Sequence, residues 1–225
     1  MRLHLKLTAS QRPVPFGHLP RLVGALHKWA GKNNTLHEGP SLYSIGWLRG
    51  GKVHDGDLHF SEGAQWSISF LREAVADKVR QGITRDNSVT CGMSVYNIGQ
   101  SPTPSLGNVY RFEVGSPVLA RQRRDEGGRQ HLLHDDPEAD AALTRTLRTK
   151  LRVAGFDDPH LDVMVGFDRS YTNPRTKVVQ FKEAEFKANL CPVIVAGTPE
   201  AVRFAYDVGV GELTGCCMGF LKSVT

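Results

Sequence analysis

Polar and apolar positions alternate from the start of the chain. In RLHLKL, Leu3, Leu5 and Leu7 fall on one side and His4 and Lys6 on the other, the period of a half-buried strand. The period then changes. Leu19, Leu22, Val23, Leu26 and Ala30 recur at helical spacing, which predicts an amphipathic helix beginning near Pro20 and stopping at Gly31. LYSIGWL reads as a strand, RGGKVHDGD as a turn and LHF as the start of another strand. Trp66, Ile68 and Phe70 alternate in a further short strand. REAVADKVRQG predicts a second helix, ended by Gly82. SVTCGMSVYNI predicts a strand with Val89, Cys91, Met93 and Val95 on one face.

QSPTPSLGN, rich in Pro, Ser and Gly, reads as a linker, and after it the order of elements returns. VYRFEV is a strand. PEADAALTRTLRTKLRVAG is a helix with a Leu143, Leu147, Leu151 stripe. LDVMVGF is a strand, KVVQFKEAEFKANLCPVIVAG one or two more, PEAVRFAYDVG a short helix and GCCMGFLKSV a last strand. The expected fold class is α+β, with two tandem ferredoxin-like (RRM-like) βαββαβ modules over 1–100 and 109–225 and a linker over 101–108. One larger α+β domain is the alternative. Each such module leaves one sheet face free of helices, the face that RNA-recognition domains use.

Composition narrows the class. The chain has 225 residues, 40% hydrophobic and 23% charged, as in ordinary globular proteins. It contains no apolar run long enough for a membrane span, and its N-terminal stretch lacks the apolar core of a signal peptide. Cys91, Cys191, Cys216 and Cys217 form no C-x-x-C pair, so neither a zinc knuckle nor a disulfide framework is indicated. A reduced, cytoplasmic protein with no metal and no cofactor is the expectation. The net charge of +5 points mildly to a polyanionic partner.

The chain closes on GVGELTGCCMGF, with Gly209, Gly211, Gly215 and Gly219 in twelve residues. Such a loop lets backbone approach another chain closely and frees N–H groups to meet phosphate oxygens. It is not a nucleotide-binding phosphate loop, since no Lys follows the glycine and a strand, not a helix, comes next. A tightly packed turn is its ordinary alternative. The pattern, at the end of a second βαββαβ order, resembles the C-terminal glycine-rich loop of the RAMP superfamily. RLHLKL, VPFGHL, GALHKWAG, TLHEGPSL and YSIGWL resemble the N-terminal succession of its CRISPR repeat-processing endoribonucleases. The likeness covers both ends and the element order; between about 60 and 200 it is architectural. It implies a metal-independent endoribonuclease acting on CRISPR repeat RNA, as a monomer or homodimer, with other effector subunits as further partners. It implies catalytic positions at His27, His37 and Ser41; at Ser41 some members carry Lys, so the transition-state cation is either missing here or supplied from elsewhere, such as Lys28 or Lys52. A non-catalytic RAMP subunit coating guide RNA is the second reading, and an RNA-binding module outside CRISPR systems the third.

The residues can be weighed without the family. Metal-free RNA cleavage needs a base near the 2′-hydroxyl and an acid near the 5′-oxygen, and imidazole suits both. His27 sits at the border of the first helix's apolar stripe, and His37 lies in the loop that follows. The ordinary alternatives are a packing residue and a loop residue bonded to Glu38. His54 and His59 could hold a metal with Asp55 or Asp57, but a solvated hairpin is favoured. RNA binding needs cations. Candidates are Arg121, Arg123 and Arg124 on a loop or hairpin, Arg145 and Arg148 opposite the leucine stripe, Lys177 and Lys182, and the four loop glycines. Residues 119–225 carry 15 basic and 15 acidic residues, so this half must segregate its charges to bind RNA.

Overall fold

The computed structural model describes residues 1–32, 34, 36 and 38–223. The opening alternation forms β1 (Arg2–Leu7), with Leu3, Leu5 and Leu7 buried. It is followed by α1 (Leu19–Ala30), β2 (Tyr43–Ile45), β3 (Lys52–His54), β4 (Asp57–His59), β5 (Ala64–Phe70), α2 (Glu73–Arg85) and β6 (Val95–Ser101). Four of these strands form an antiparallel sheet in the order β2-β5-β1-β6, and β3-β4 is a separate hairpin.

The second half contains β7 (Val109–Val114), β8 (Ala120–Arg123), β9 (Arg129–Leu132), α3 (Ala139–Val153), β10 (Met164–Phe167), β11 (Arg175–Phe181), β12 (Ala184–Leu190), β13 (Val193–Ala196), α4 (Pro199–Val208) and β14 (Leu221–Ser223). Its four-stranded sheet runs β10-β13-β7-β14, with hairpins β8-β9 and β11-β12 outside it. In both sheets the first strand lies between the third and the last, the ferredoxin-like order. The fold is therefore the tandem ferredoxin-like α+β arrangement expected, with three inserted hairpins.

Local departures have physical causes. α2 does not stop at Gly82 but runs to Arg85. A Cβ at Gly82 would overlap the Trp29 backbone, so this glycine serves the close contact of α1 with α2. β6 begins only at Val95, because Cys91 (φ 51°) and Gly92 (φ 79°) turn the chain just before it. It then continues through Gln100 and Ser101. Between 102 and 108, Thr103 donates to the Asp207 carboxylate and Leu106 is buried.

The helix-free face of the first sheet is not wholly open. Arg2 points out of it and is buried between the rings of Tyr206 (3.8 Å) and Phe220 (4.2 Å), donating to Ser69 Oγ and the Tyr206 carbonyl. Burial pushes its pKa down to about 10. The two halves also share a core: Leu119, Val179, Ala188, Cys217 and Met218 pack in one cluster with Leu5 and Trp66 of the first sheet and Trp29 of α1.

Candidate active site

The helical period puts Leu22, Leu26 and Trp29 in the core and leaves His27 half-buried at the stripe's edge. Gly31 (φ 90°) ends α1, and its N–H bonds the carbonyls of His27 and Lys28. Asn34 then folds the exit back onto the helix. Its Nδ2 donates to the Gly31 carbonyl and reaches His27's carbonyl at 3.5 Å, while its Oδ1 accepts from the Leu36 N–H at 3.2 Å. These partners settle the amide's orientation, because the flipped amide would set oxygen against two carbonyls. His27 Nδ1 lies 3.2 Å from Asn34 Oδ1. In the neutral ring Nδ1 must then carry the proton, which makes Nε2 the basic nitrogen.

Contacts lead from there to Ser41. The Tyr43 hydroxyl donates to the Leu36 carbonyl at 3.4 Å, and Ser41 hydrogen-bonds the Tyr43 phenol. Burial, then the neighbouring Cys216, push the Tyr43 pKa up to about 12, so this hydroxyl stays protonated. The structure thus brings His27 and Ser41 to one region. His37 lies outside the described residues.

The glycine loop closes this region from the second half. A Cβ at Gly215 would stand 2.5 Å from Ser41 Oγ and 2.7 Å from the Tyr43 hydroxyl. Gly209 (φ 72°), Gly211 (φ 75°) and Gly219 (φ 63°) adopt left-handed backbone, and a Cβ on them would meet the carbonyls of Gly219, Leu119 and Val210 respectively. All four are buried by the protein's own atoms. The Gly209 and Gly219 N–H groups are already bonded, to Ala205 and Pro117 carbonyls. Packing within the chain accounts for the four glycines.

Lys150, on α3, is buried against this loop. Its ammonium donates to Thr214 Oγ1 (2.8 Å) and the Val208 carbonyl (3.1 Å), and Thr214 donates to the Tyr43 carbonyl. Burial pushes its pKa down to about 7. A lysine within the Leu143, Leu147, Leu151 stripe was the sequence signal for it.

Of the other cations considered, Lys28 is committed to Asp86 (2.9 Å) and Ser88. Lys52 is exposed on β3. Lys182 occupies the tip between β11 and β12 with φ 55°, and its charge opposes the upward shift that burial imposes on the Cys216 thiol. Lys177 lies over the Trp47 ring at 5.3 Å. Neither lysine lines the arginine cleft.

That cleft, of about 640 Å³, is lined by Arg121, Gln122, Arg123, Gly128, Arg129, Arg145 and Glu212. Arg129, which sequence reasoning missed, faces Arg123 across the β8-β9 ladder; the Gly127-Gly128 turn signal between them could have found it. Glu212 accepts from both Arg121 and Arg129 and so holds two cations at the cleft. Arg145 also lines the adjoining groove with Arg148 and Arg152. Arg124 is exposed at the hairpin turn, its N–H bonded to the Gly128 carbonyl. Among the described residues, no three His, Cys, Asp or Glu side chains are grouped as metal ligands, and no helix is long and apolar enough to cross a membrane.

Solved structures share the fold along the whole chain. The product of a Cas6-related gene from Pyrococcus furiosus has a TM-score of 0.88 at 19% identity, covering 100% of this chain and 98% of that one. A RAMP protein described as binding different RNA substrates has 0.84 at 19%, covering 100% of both chains. A product complex of Thermus thermophilus Cas6 has 0.70 at 15%, covering 99% and 98%. No curated protein matches by sequence. A family model for the C-terminal part of the CRISPR-associated protein Cas6 matches residues 100–223, more than half of the chain, and the chain therefore belongs to the Cas6 family.

Proposed function

We propose that this Cas6-family protein cuts CRISPR precursor RNA within the repeat without a metal ion, residues 1–100 supplying the chemistry and 109–225 gripping the RNA. His27 Nε2 takes the proton of the 2′-hydroxyl, and O2′ attacks phosphorus. The bond to O5′ breaks, and protonated His37 gives O5′ its proton. The ends are a 2′,3′-cyclic phosphate and a 5′-hydroxyl.

The observation that carries this reading is the Asn34 contact, which favours the Nδ1–H form of His27 and leaves Nε2 basic. Ser41 can donate a hydrogen bond to a phosphoryl oxygen but brings no charge. The arginine cleft suits the RNA backbone, since cations that neutralise phosphates release counterions.

The test is incubation with repeat RNA in excess EDTA, followed by end-group analysis. Cleavage in chelator with cyclic-phosphate ends is expected. Loss of cleavage in chelator, restored by Mg²⁺ or Mn²⁺, would overturn the mechanism. Tight binding without cleavage under either condition would put the guide-RNA coat subunit in its place.

A further inference from the structure

Beside the candidate catalytic loop lies a hollow of about 210 Å³, lined by residues from both halves of the chain. That is room for about seven waters at ~30 Å³ each, enough for one flat heteroaromatic ring and too little for a base pair. Its walls are largely apolar: Leu36, Pro40, Leu42, Val75 and the stacked Tyr43–Phe70 rings (6.3 Å between centroids, 21° between planes). Val153, at the end of α3, also lines it and is 52% exposed, a large apolar side chain facing water. The Leu71 N–H bonds the Leu42 carbonyl and ties the wall to the start of α2.

Two charges interrupt these walls. Glu38 and Arg72 both line the hollow, both are exposed, and among the described residues neither side chain has a hydrogen-bond or ion-pair partner. Ser41 lines it too, which places it next to the proposed chemistry.

We propose that this hollow is a recognition pocket for one unpaired guanine of the RNA substrate, flipped out beside the scissile phosphate. The inference rests on the RNA-cleaving reading above. Apolar and aromatic walls take the two faces of a base. Guanine presents acceptors at O6 and N7, which suit a guanidinium, and donors at N1–H and the 2-amino group, which suit a carboxylate. Arg72 and Glu38 supply that combination. Adenine has no donor at N1, and uracil has no amino group.

Two measurements test it. In ligand-detected saturation-transfer NMR, GMP should contact the protein more strongly than AMP, CMP or UMP, and Arg72→Ala and Glu38→Gln should each abolish the preference. In single-turnover cleavage, guanines of the repeat flanking the cut are replaced one at a time by inosine, which lacks only the 2-amino group. One position should slow wild-type cleavage about tenfold or more, a penalty that Glu38→Gln removes because its partner is gone. Equal transfer from all four nucleotides, or an inosine penalty unchanged by Glu38→Gln, would overturn the pocket while leaving the nuclease reading intact. GMP selectivity in a protein that cleaves no RNA would support the pocket and remove the nuclease.

Discussion

The basic nitrogen of His27 depends on a side chain seven residues later. His27→Ala should lower the single-turnover rate by about 10²–10⁴-fold, the size of a general base contribution, with RNA affinity nearly unchanged. Asn34→Ala leaves the ring in place but removes the acceptor for Nδ1–H. About a tenfold loss in rate at constant affinity is expected, less than for removal of the imidazole itself. A pH–rate profile of wild type should be bell-shaped, since one neutral and one protonated imidazole are needed together. A rate that stays flat through the imidazole range would remove the pair. The half-buried position of His27 was legible because helical spacing marks a stripe's border. Asn34 was not, because its role arises only once Gly31 turns the chain at positive φ, and no periodicity encodes a loop's curvature.

At the scale of elements, the glycine loop touches both the proposed catalytic region and the arginine cleft. Gly215 abuts Ser41 and Tyr43, and three residues earlier Glu212 holds Arg121 and Arg129. Its glycines are not equivalent to those of an exposed turn. Gly219→Ala would combine left-handed backbone with overlap on the Val210 carbonyl, whereas a Cβ at Gly127 (φ 92°) meets nothing within 4 Å. The first should cost more than about 2 kcal/mol and lower Tm by roughly 5 °C or more; the second should cost about 1 kcal/mol and roughly 2–4 °C. Thermal melts of the two variants check this. The cleft yields a separate prediction. Arg123→Ala with Arg145→Ala should flatten the salt dependence of RNA binding by about 0.7–0.9 log units for each phosphate left unneutralised, without affecting the fold. An unchanged slope in a binding titration would place the RNA backbone elsewhere. Arg121→Ala should instead combine weaker binding with local loosening, because that side chain is held by Glu212. The alternation and the leucine stripe made the strands, α3 and its arginine face readable. The three hairpins were only partly readable, because a two-stranded insertion has little core to impose a pattern on its residues. The partners of the loop glycines were not readable at all, since Leu119, Val210 and Tyr43 are brought to them by the fold and not by any spacing in the chain.

At the scale of the molecule, Lys150 ties α3 to the end of α4, the glycine loop and, through Thr214, β2 of the first half. Its pKa is about 7 in the fold and 10.5 in the unfolded chain. Between those values the unfolded state binds more protons, so this group makes stability rise with pH from about 7 upward and contributes no slope below. Wild-type Tm should therefore climb between pH 7 and 9 relative to Lys150→Met, in which the slope is absent. Parallel curves for the two proteins would show the ammonium to be better solvated than its burial implies.

The distribution of these features along the chain bears on how relatives should be sorted. The stretch by which the family is detected, residues 100–223, holds the glycine loop and the arginine cleft, whereas His27, Asn34 and Ser41 all precede it. Steric demand within the fold gives those glycines a reason to be kept whether or not any RNA is cut. On the proposed mechanism, a chain that lost its imidazoles would keep the same detectable signature while losing cleavage. If that mechanism holds, sorting such chains into nucleases and bystanders calls for inspection of the short stretch around the end of the first helix, with the residue at position 27 as the first one to check.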